Sequence, residues 1–183
     1  YDEEWVNGGW IYTYTGYNEK RYNENKQEIA NETYDEEGNL LYQTRYTFDE
    51  NGRLIESTNY GPDGETVVGR TVQKWYSNGQ MEEKVVYEEG RVLSYCSWYE
   101  NGKRKEENSY SYEYSQEAEE YIVSGTEYSY NEAGKETKFV QFEDGKENVV
   151  SRRTTTYYAN GNTSERIYEQ SYGISYIYRY YES

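Results

Sequence analysis

An aromatic residue followed four positions later by glycine recurs along this chain, and that recurrence restricts it to folds built from short reversing strands. The pairs are Tyr34/Gly38, Phe48/Gly52, Trp75/Gly79, Trp98/Gly102, Tyr130/Gly134 and Tyr157/Gly161. In four of them Asn precedes the glycine: Asn51, Asn78, Asn101 and Asn160. Asn-Gly readily takes the positive backbone angles of a tight reversal, so between strand-like runs it signals a hairpin. A second aromatic stands eight residues after five of those glycines, at Tyr46, Tyr60, Tyr87, Tyr110 and Phe142; after Gly161 the nearest is Tyr168, one residue early.

The runs between the turns alternate as strands do. In Leu40–Phe48, residues Tyr42, Thr44, Tyr46 and Phe48 alternate with Leu41, Gln43, Arg45 and Thr47. In Arg91–Tyr99, residues Leu93, Tyr95, Ser97 and Tyr99 share one face, and Val92, Ser94, Cys96 and Trp98 the other. A second set of turns falls between the first, at Gly61-Pro62-Asp63-Gly64, Glu88-Glu89-Gly90, Glu143-Asp144-Gly145 and around Gly173. Each step between turns is one strand plus one reversal. The pattern predicts an all-β fold, an antiparallel meander of serial hairpins in an elongated twisted sheet, with about 12–14 strands. Only Ser115–Glu120 has any helical character. The whole of 1–183 reads as a single β-repeat domain, with 1–33 divergent and 34–183 carrying recognisable repeats. The aromatics Phe48, Trp75, Trp98, Tyr130 and Tyr157 are expected at one edge of the sheet. Their partners Tyr46, Tyr60, Tyr87, Tyr110 and Phe142 are expected close by.

Composition decides what such a sheet packs with. Val, Ile and Leu together are fewer than the 27 tyrosines, and the net charge is -16. That combination would suggest disorder, were it not that each tyrosine buries a large ring while keeping its hydroxyl wet. Histidine is absent and Cys96 is the one cysteine, so neither a Ser-His-Asp or Cys-His relay nor an internal disulfide can be built. Cys96 lies in an apolar run and reads as a buried, inert thiol. Nineteen basic residues scattered among 35 acidic ones argue against nucleic acid and anionic membranes. No apolar run is long enough for a membrane helix and no signal peptide is visible, while a first residue of Tyr fits a mature or trimmed form.

The best-matched repeats are Lys74–Tyr87 and Ser97–Tyr110, in which Trp75-Tyr76-Ser77-Asn78-Gly79 overlays Trp98-Tyr99-Glu100-Asn101-Gly102. A hairpin repeat of this length, with an aromatic pair, Asn-Gly and a later Tyr, resembles the variant MORN repeats of bacterial proteins. The match covers Gly69–Tyr110 best, then Tyr34–Tyr60 and Tyr130–Tyr168, and lacks the Gly-x-Gly element of the commoner pattern. The resemblance implies serial hairpins, a bacterial source and a scaffolding or partner-binding role, with no catalytic residue carried over. Aromatic-Gly cell-wall-binding repeats are a weaker resemblance.

Paired acids such as Glu82-Glu83, Glu88-Glu89 and Glu106-Glu107 could serve a glycosidase only if two faced each other across a cleft. Asp49-Glu50-Asn51-Gly52 has calcium-type ligands but not the spaced order of a calcium loop, and turn chemistry accounts for it. Sequons at Asn31 and Asn162 matter only in a eukaryotic secretory protein. The tyrosines carry the stronger signal. Trp10, Tyr12 and Tyr14 share a face; so do Tyr110, Tyr112 and Tyr114, and again Tyr176, Tyr178 and Tyr180. Structurally these are cross-strand packing that replaces an aliphatic core. Functionally the last two sets are the candidate binding surface. The reading is therefore a non-enzymatic β-repeat scaffold, exported or surface-displayed with a cytoplasmic place left open. It needs no cofactor or metal and engages a protein or glycan partner, the alternative being a carbohydrate-binding module that uses an aromatic face.

Overall fold

The chain alternates strand and reversal from end to end. A computed structural model describes residues 2–6, 9–13, 16–173 and 175–181, with side chains described from 16 onward. The expected shared face of Trp10, Tyr12 and Tyr14 lies outside the described side chains. The strands are β1 (Asp2–Val6), β2 (Gly9–Thr13), β3 (Tyr17–Tyr22), β4 (Glu28–Tyr34), β5 (Leu40–Phe48), β6 (Leu54–Tyr60), β7 (Val67–Trp75), β8 (Met81–Glu88), β9 (Arg91–Trp98), β10 (Arg104–Ser115), β11 (Glu120–Tyr130), β12 (Glu136–Phe142), β13 (Val149–Tyr157), β14 (Thr163–Gln170) and β15 (Ser175–Arg179). β1 and β2 form a separate hairpin; β3 to β15 form one 13-stranded antiparallel sheet in strict sequence order. The fold is the expected meander. Of Ser115–Glu120, the one segment expected to have helical character, residues 116–119 make a turn and the two ends belong to β10 and β11.

One loop recurs at the reversals. In Asp49–Arg53 the Asp49 N–H donates to Arg53 O at 2.9 Å, and the Gly52 N–H donates to Asp49 O at 3.0 Å. The same two bonds close Asp35–Asn39, Tyr76–Gln80, Tyr99–Lys103, Asn131–Lys135 and Tyr158–Asn162. The glycine stands at positive φ, 87° at Gly79 and 79° at Gly102, where a side chain would strain the backbone. The aromatic before each of these loops is the last residue of its strand, which places Phe48, Trp75, Trp98, Tyr130 and Tyr157 at strand ends as expected. Tyr34 also ends its strand, but β4 runs opposite to β5, so the Tyr34/Gly38 loop lies at the other end of the strands from Phe48/Gly52. A further copy was hidden in the divergent part. Asn23–Gln27 makes the same bonds, with Tyr22 ending β3 and Lys26 at φ 61° in the glycine's place.

The partner aromatics separate. Tyr46 stays near Phe48 on β5, but Tyr60 and Phe142 are final residues of β6 and β12 and Tyr87 is next to last in β8. Eight residues carry the chain along a whole strand, so these rings sit at the far end from the loop that precedes them.

The sheet spans two compact units, Tyr1–Gln73 with Tyr87–Arg91, and Lys74–Val86 with Val92–Ser183. In the first, Ala30, Glu32, Gln43 and Thr58 are buried and share one face, since Glu32 pairs with Gln43 and both Ala30 and Thr58 pair with Arg45. The Glu32 carboxylate is not left without partners there: it accepts from Arg21, from the Gln43 amide and from the Tyr34 hydroxyl at 3.0 Å. In the second unit, Val85, Ser97, Val140, Phe142 and Thr155 are buried, and Phe142 is 2% exposed. Gly125 pairs with both Tyr110 and Phe142, whose ring centroids are 6.2 Å apart. A Cβ at Gly125 would run into Ser109 O and the Tyr110 ring. No tyrosine is buried among the described residues. The buried positions are taken instead by Phe142, by Ala30, Val85 and Val140, and by polar side chains such as Gln43 and Thr155.

Candidate functional site

The side chains that converge lie on β11 to β15. Register brings Tyr128 opposite Phe139, Phe139 opposite Arg153, Arg153 opposite Tyr168, and Tyr168 opposite Tyr176, so one row crosses five strands on a single face. The contacts follow. Tyr128 and Phe139 have centroids 4.9 Å apart, and the Arg153 guanidinium lies 5.2 Å from the Phe139 centroid. Arg153 is fixed by two bonds to Glu136, at 2.7 and 2.6 Å, which raise its pKa further and keep it a fixed cation in the row. Tyr168 meets Tyr178 edge-on at 5.8 Å with ring planes 88° apart. With Gln170, Tyr176 and Tyr180 they surround a hollow of about 250 Å³. Tyr176 and Tyr178 are half exposed and Tyr180 nearly so.

The second expected set lies on the opposite face, because Tyr110 pairs with Gly125 while Tyr128, three positions on, pairs with Glu107. Tyr110 is committed to structure. It packs on Phe142, donates to Glu127 at 3.0 Å, and carries the Lys146 ammonium 4.6 Å from its ring centroid. Burial, and then Glu127, push the Tyr110 hydroxyl up in pKa. Burial works to raise the Glu127 carboxyl too, but the hydrogen bonds from Lys146 and Tyr110 hold it below the usual range. Tyr112 donates to Val92 O at 2.8 Å, and Tyr114 packs edge-on against Tyr121 at 5.3 Å. The six tyrosines therefore do not form one surface; Tyr176, Tyr178 and Tyr180 join Tyr168 on one face, and Tyr110, Tyr112 and Tyr114 lie on the other.

Tyr128, Phe139, Arg153 and Tyr168 carry no signal as a group in the linear sequence. The Asn131–Lys135 loop does fix the first pair: counted outward, with a one-residue bulge at Tyr130, Tyr128 meets Phe139.

Other candidates are consumed by structure. The Asp49 carboxylate accepts the N–H groups of Asn51 and Arg53, at 2.9 and 2.8 Å, and the Arg53 side chain at 2.7 Å, so the turn occupies both of its oxygens. Among the described residues, no three His, Cys, Asp or Glu side chains converge as a metal site would need. Glu83 pairs with Lys74 at 2.8 Å, Glu107 with Arg104, and Glu165 with Arg179 at 2.8 Å. Cys96 is half-buried rather than fully so, and burial pushes its thiol up, away from the reactive thiolate. Two hollows lie in the first unit, about 450 Å³ lined by Gln27, Glu28, Tyr46, Phe48 and Leu54 and about 460 Å³ beside Val67, Arg70 and Tyr87; Gln27 is turned to Gly52 O at 2.8 Å and Glu28 to Lys20 at 2.8 Å. Arg70, in the second, is turned to Glu56 at 2.5 Å.

No protein-family model and no curated protein matches the chain. Among solved structures it is similar to a TcdB2-TccC3-Cdc42 structure, at 14% identity over 85% of this chain and 9% of that one, with a TM-score of 0.36. It is also similar to the Tc holotoxin pore of Photorhabdus luminescens, at 10% identity, 82% and 11% coverage and a TM-score of 0.38. A porin-like protein from Bacteroides uniformis matches at 12% identity, 90% and 94% coverage and a TM-score of 0.23. The chain thus spans about a tenth of the length of the toxin chains it resembles. Likenesses at this level establish neither the fold nor the function of the chain.

Proposed function

We propose that the chain is a non-enzymatic β-repeat scaffold that engages another protein through the row from Tyr128 to Tyr176 and its exposed end at Tyr178 and Tyr180. The observation that carries this is the row itself: rings and one fixed guanidinium on five successive strands, ending in half-exposed tyrosines. Aromatic and Arg side chains on a rigid element are what protein interfaces use as anchors. The Arg153 guanidinium held within the row, 5.2 Å from the Phe139 centroid, favours a protein over a sugar, because Arg beside aromatic rings is typical of protein-interface anchors. Four carboxylates, those of Glu83, Glu127, Glu136 and Glu165, are held in ion pairs with Lys74, Lys146, Arg153 and Arg179.

Capture of partners by cross-linking tests the reading, using wild type, Tyr176→Ala/Tyr178→Ala and the opposite-face control Tyr114→Ala. Loss of one anchor of this kind costs about 2 kcal/mol, roughly thirtyfold in affinity. Proteins held by wild type and Tyr114→Ala but released by the double variant are expected. Equal retention by all three would refute the assignment. Saccharide binding on a glycan array, lost with Tyr178→Ala, would give the face to the carbohydrate reading.

A further inference from the structure

Among the described residues β15 is an edge of the sheet, and its chemistry differs from that of an edge built to stay single. Among the described residues it has one neighbouring strand, β14. The Tyr180 N–H donates to Ser164 O at 2.9 Å, so the even-numbered residues turn their backbone groups toward β14. By the alternation of an antiparallel ladder, the N–H and C=O groups of Ser175, Ile177 and Arg179 then point outward. All five residues are exposed. Natural edges are guarded with charge, bulges or proline. At the opposite edge, three of the six residues of β3 are charged: Glu19, Lys20 and Arg21. β15 has only Arg179, and its charge is met by Glu165 at 2.8 Å. In a chain of net charge -16, this edge carries no acid and one neutralised base.

We infer that β15 pairs antiparallel with β15 of a second copy of this chain, centred on Ile177. The strand is self-complementary in that register. Ile177 faces Ile177, and Ser175 faces Arg179 of the second copy, in three hydrogen-bonded pairs that use all the outward groups and oppose no like charges. Tyr176 then lies opposite Tyr178 of the second copy in the closer, non-hydrogen-bonded pairs. The chain already uses that kind of cross-strand contact: Tyr17 stacks on its register partner Tyr34 at 4.9 Å, Tyr114 packs on Tyr121, and Tyr168 lies opposite Tyr176. An unrelated strand would satisfy the backbone, but the strand that also reproduces the tyrosine pairing and the charge pattern is β15 itself. The proposal rests on the backbone edge of the strand, and its Tyr176 and Tyr178 pairs share the exposed end of the aromatic face.

Sedimentation velocity on the 183-residue chain, over a range of concentration and salt, tests it. Wild type is expected to dimerise reversibly, more strongly as salt screens the net charge. Ile177→Pro removes an outward N–H and no bond to β14, so a folded monomer is expected, while Ile177→Thr keeps the N–H and the dimer. Ile177→Lys and Ile177→Glu place like charges opposite themselves and should each weaken the dimer about tenfold or more, whereas mixing the two restores it. A wild type that stays monomeric throughout overturns the proposal. So does Ile177→Pro dimerising as wild type does, or a Lys/Glu mixture no more associated than either variant alone. Because these variants leave the Tyr128–Tyr176 row in place, loss of the dimer with partner capture intact would separate the two readings.

Discussion

The two ends of the strands in the second unit are built differently. At one end the reversals Tyr76–Gln80, Tyr99–Lys103, Asn131–Lys135 and Tyr158–Asn162 are copies of one loop. At the other end residues 116–119 and Glu143–Asn148 close in two different ways, while the Gly173 N–H donates to Gln170 O at 3.0 Å with Gly173 at φ 80°, as in the recurring loop. The regular end is also tied from loop to loop. The Tyr76 hydroxyl donates to Trp98 O at 2.8 Å, Tyr99 to Tyr130 O at 2.8 Å, and Tyr158 to Tyr180 O at 2.5 Å. The Asn78 amide donates to Glu100 O, Asn101 to Glu132 O, and Lys103 to Ala133 O. Satisfying loop carbonyls from the neighbouring hairpin sets register from this end. Strand length then varies freely toward the other, from 12 residues in β10 to 5 in β15.

The largest expected effect lies at the tied end. Gly102 stands at φ 79° and a Cβ there would press on Gln80 Oε1, so Gly102→Val should cost about 1–3 kcal/mol. A two-residue insertion in 116–119 should cost under about 0.6 kcal/mol, as loop closure depends weakly on length. Denaturant unfolding measures both, and equal costs would abolish the asymmetry. Next comes the tie itself. Tyr99→Phe deletes the bond to Tyr130 O and should lose about 1 kcal/mol, while Tyr114→Phe on the exposed edge-on pair should lose almost nothing. Matching losses for the two would mean that the ties do not hold the loops.

How much of this could be read in the sequence depends on whether one residue performs one task. Asn78 and Asn101 mark turns from sequence, because Asn-Gly has few other uses, and the hairpins follow. Their second task, donating to Glu100 O and Glu132 O, is invisible until the loops are neighbours in space. The loop at Asn23–Gln27 carries no such signal, because Lys26 holds the left-handed position that glycine takes in the other copies. Tyr176, Tyr178 and Tyr180 could be named as a candidate surface from their alternation. Arg153 and Phe139 could not, since they reach the row only through pairings that one-residue bulges shift.

The Lys26 loop offers a smaller effect of opposite sign. A left-handed backbone costs a non-glycine residue about 1–2 kcal/mol, partly offset by glycine's larger unfolded-state entropy, so Lys26→Gly should stabilise by up to about 1 kcal/mol. A loss on that change would show that the Lys26 side chain contributes something the loop geometry does not require.

The smallest effect belongs to a loop of the irregular kind in the first unit. Gly61–Thr66 is one residue longer than the recurring loop and is organised by Asp63 in place of Asn-Gly. Its carboxylate accepts from the Thr66 hydroxyl and from the N–H groups of Glu65 and Thr66, at 2.9 and 2.8 Å. The Thr66 hydroxyl first, and then the two backbone donors, hold the Asp63 pKa down to about 2 from an ordinary 3.8. A pKa lowered by folding means that the charged form favours the folded loop. The contribution is complete above pH 3.8 and disappears as pH falls through about 2. The group is solvent-exposed, so the consequence is local and global melting should barely register it. A carbon-detected NMR titration of the Asp63 carboxyl is the proper measurement, with the Thr66 amide as a second reporter, and the expected midpoint is near 2. A midpoint at 3.8 would show that the Asp63 contacts do not order the loop, leaving Gly61 and Gly64 to make the turn unaided.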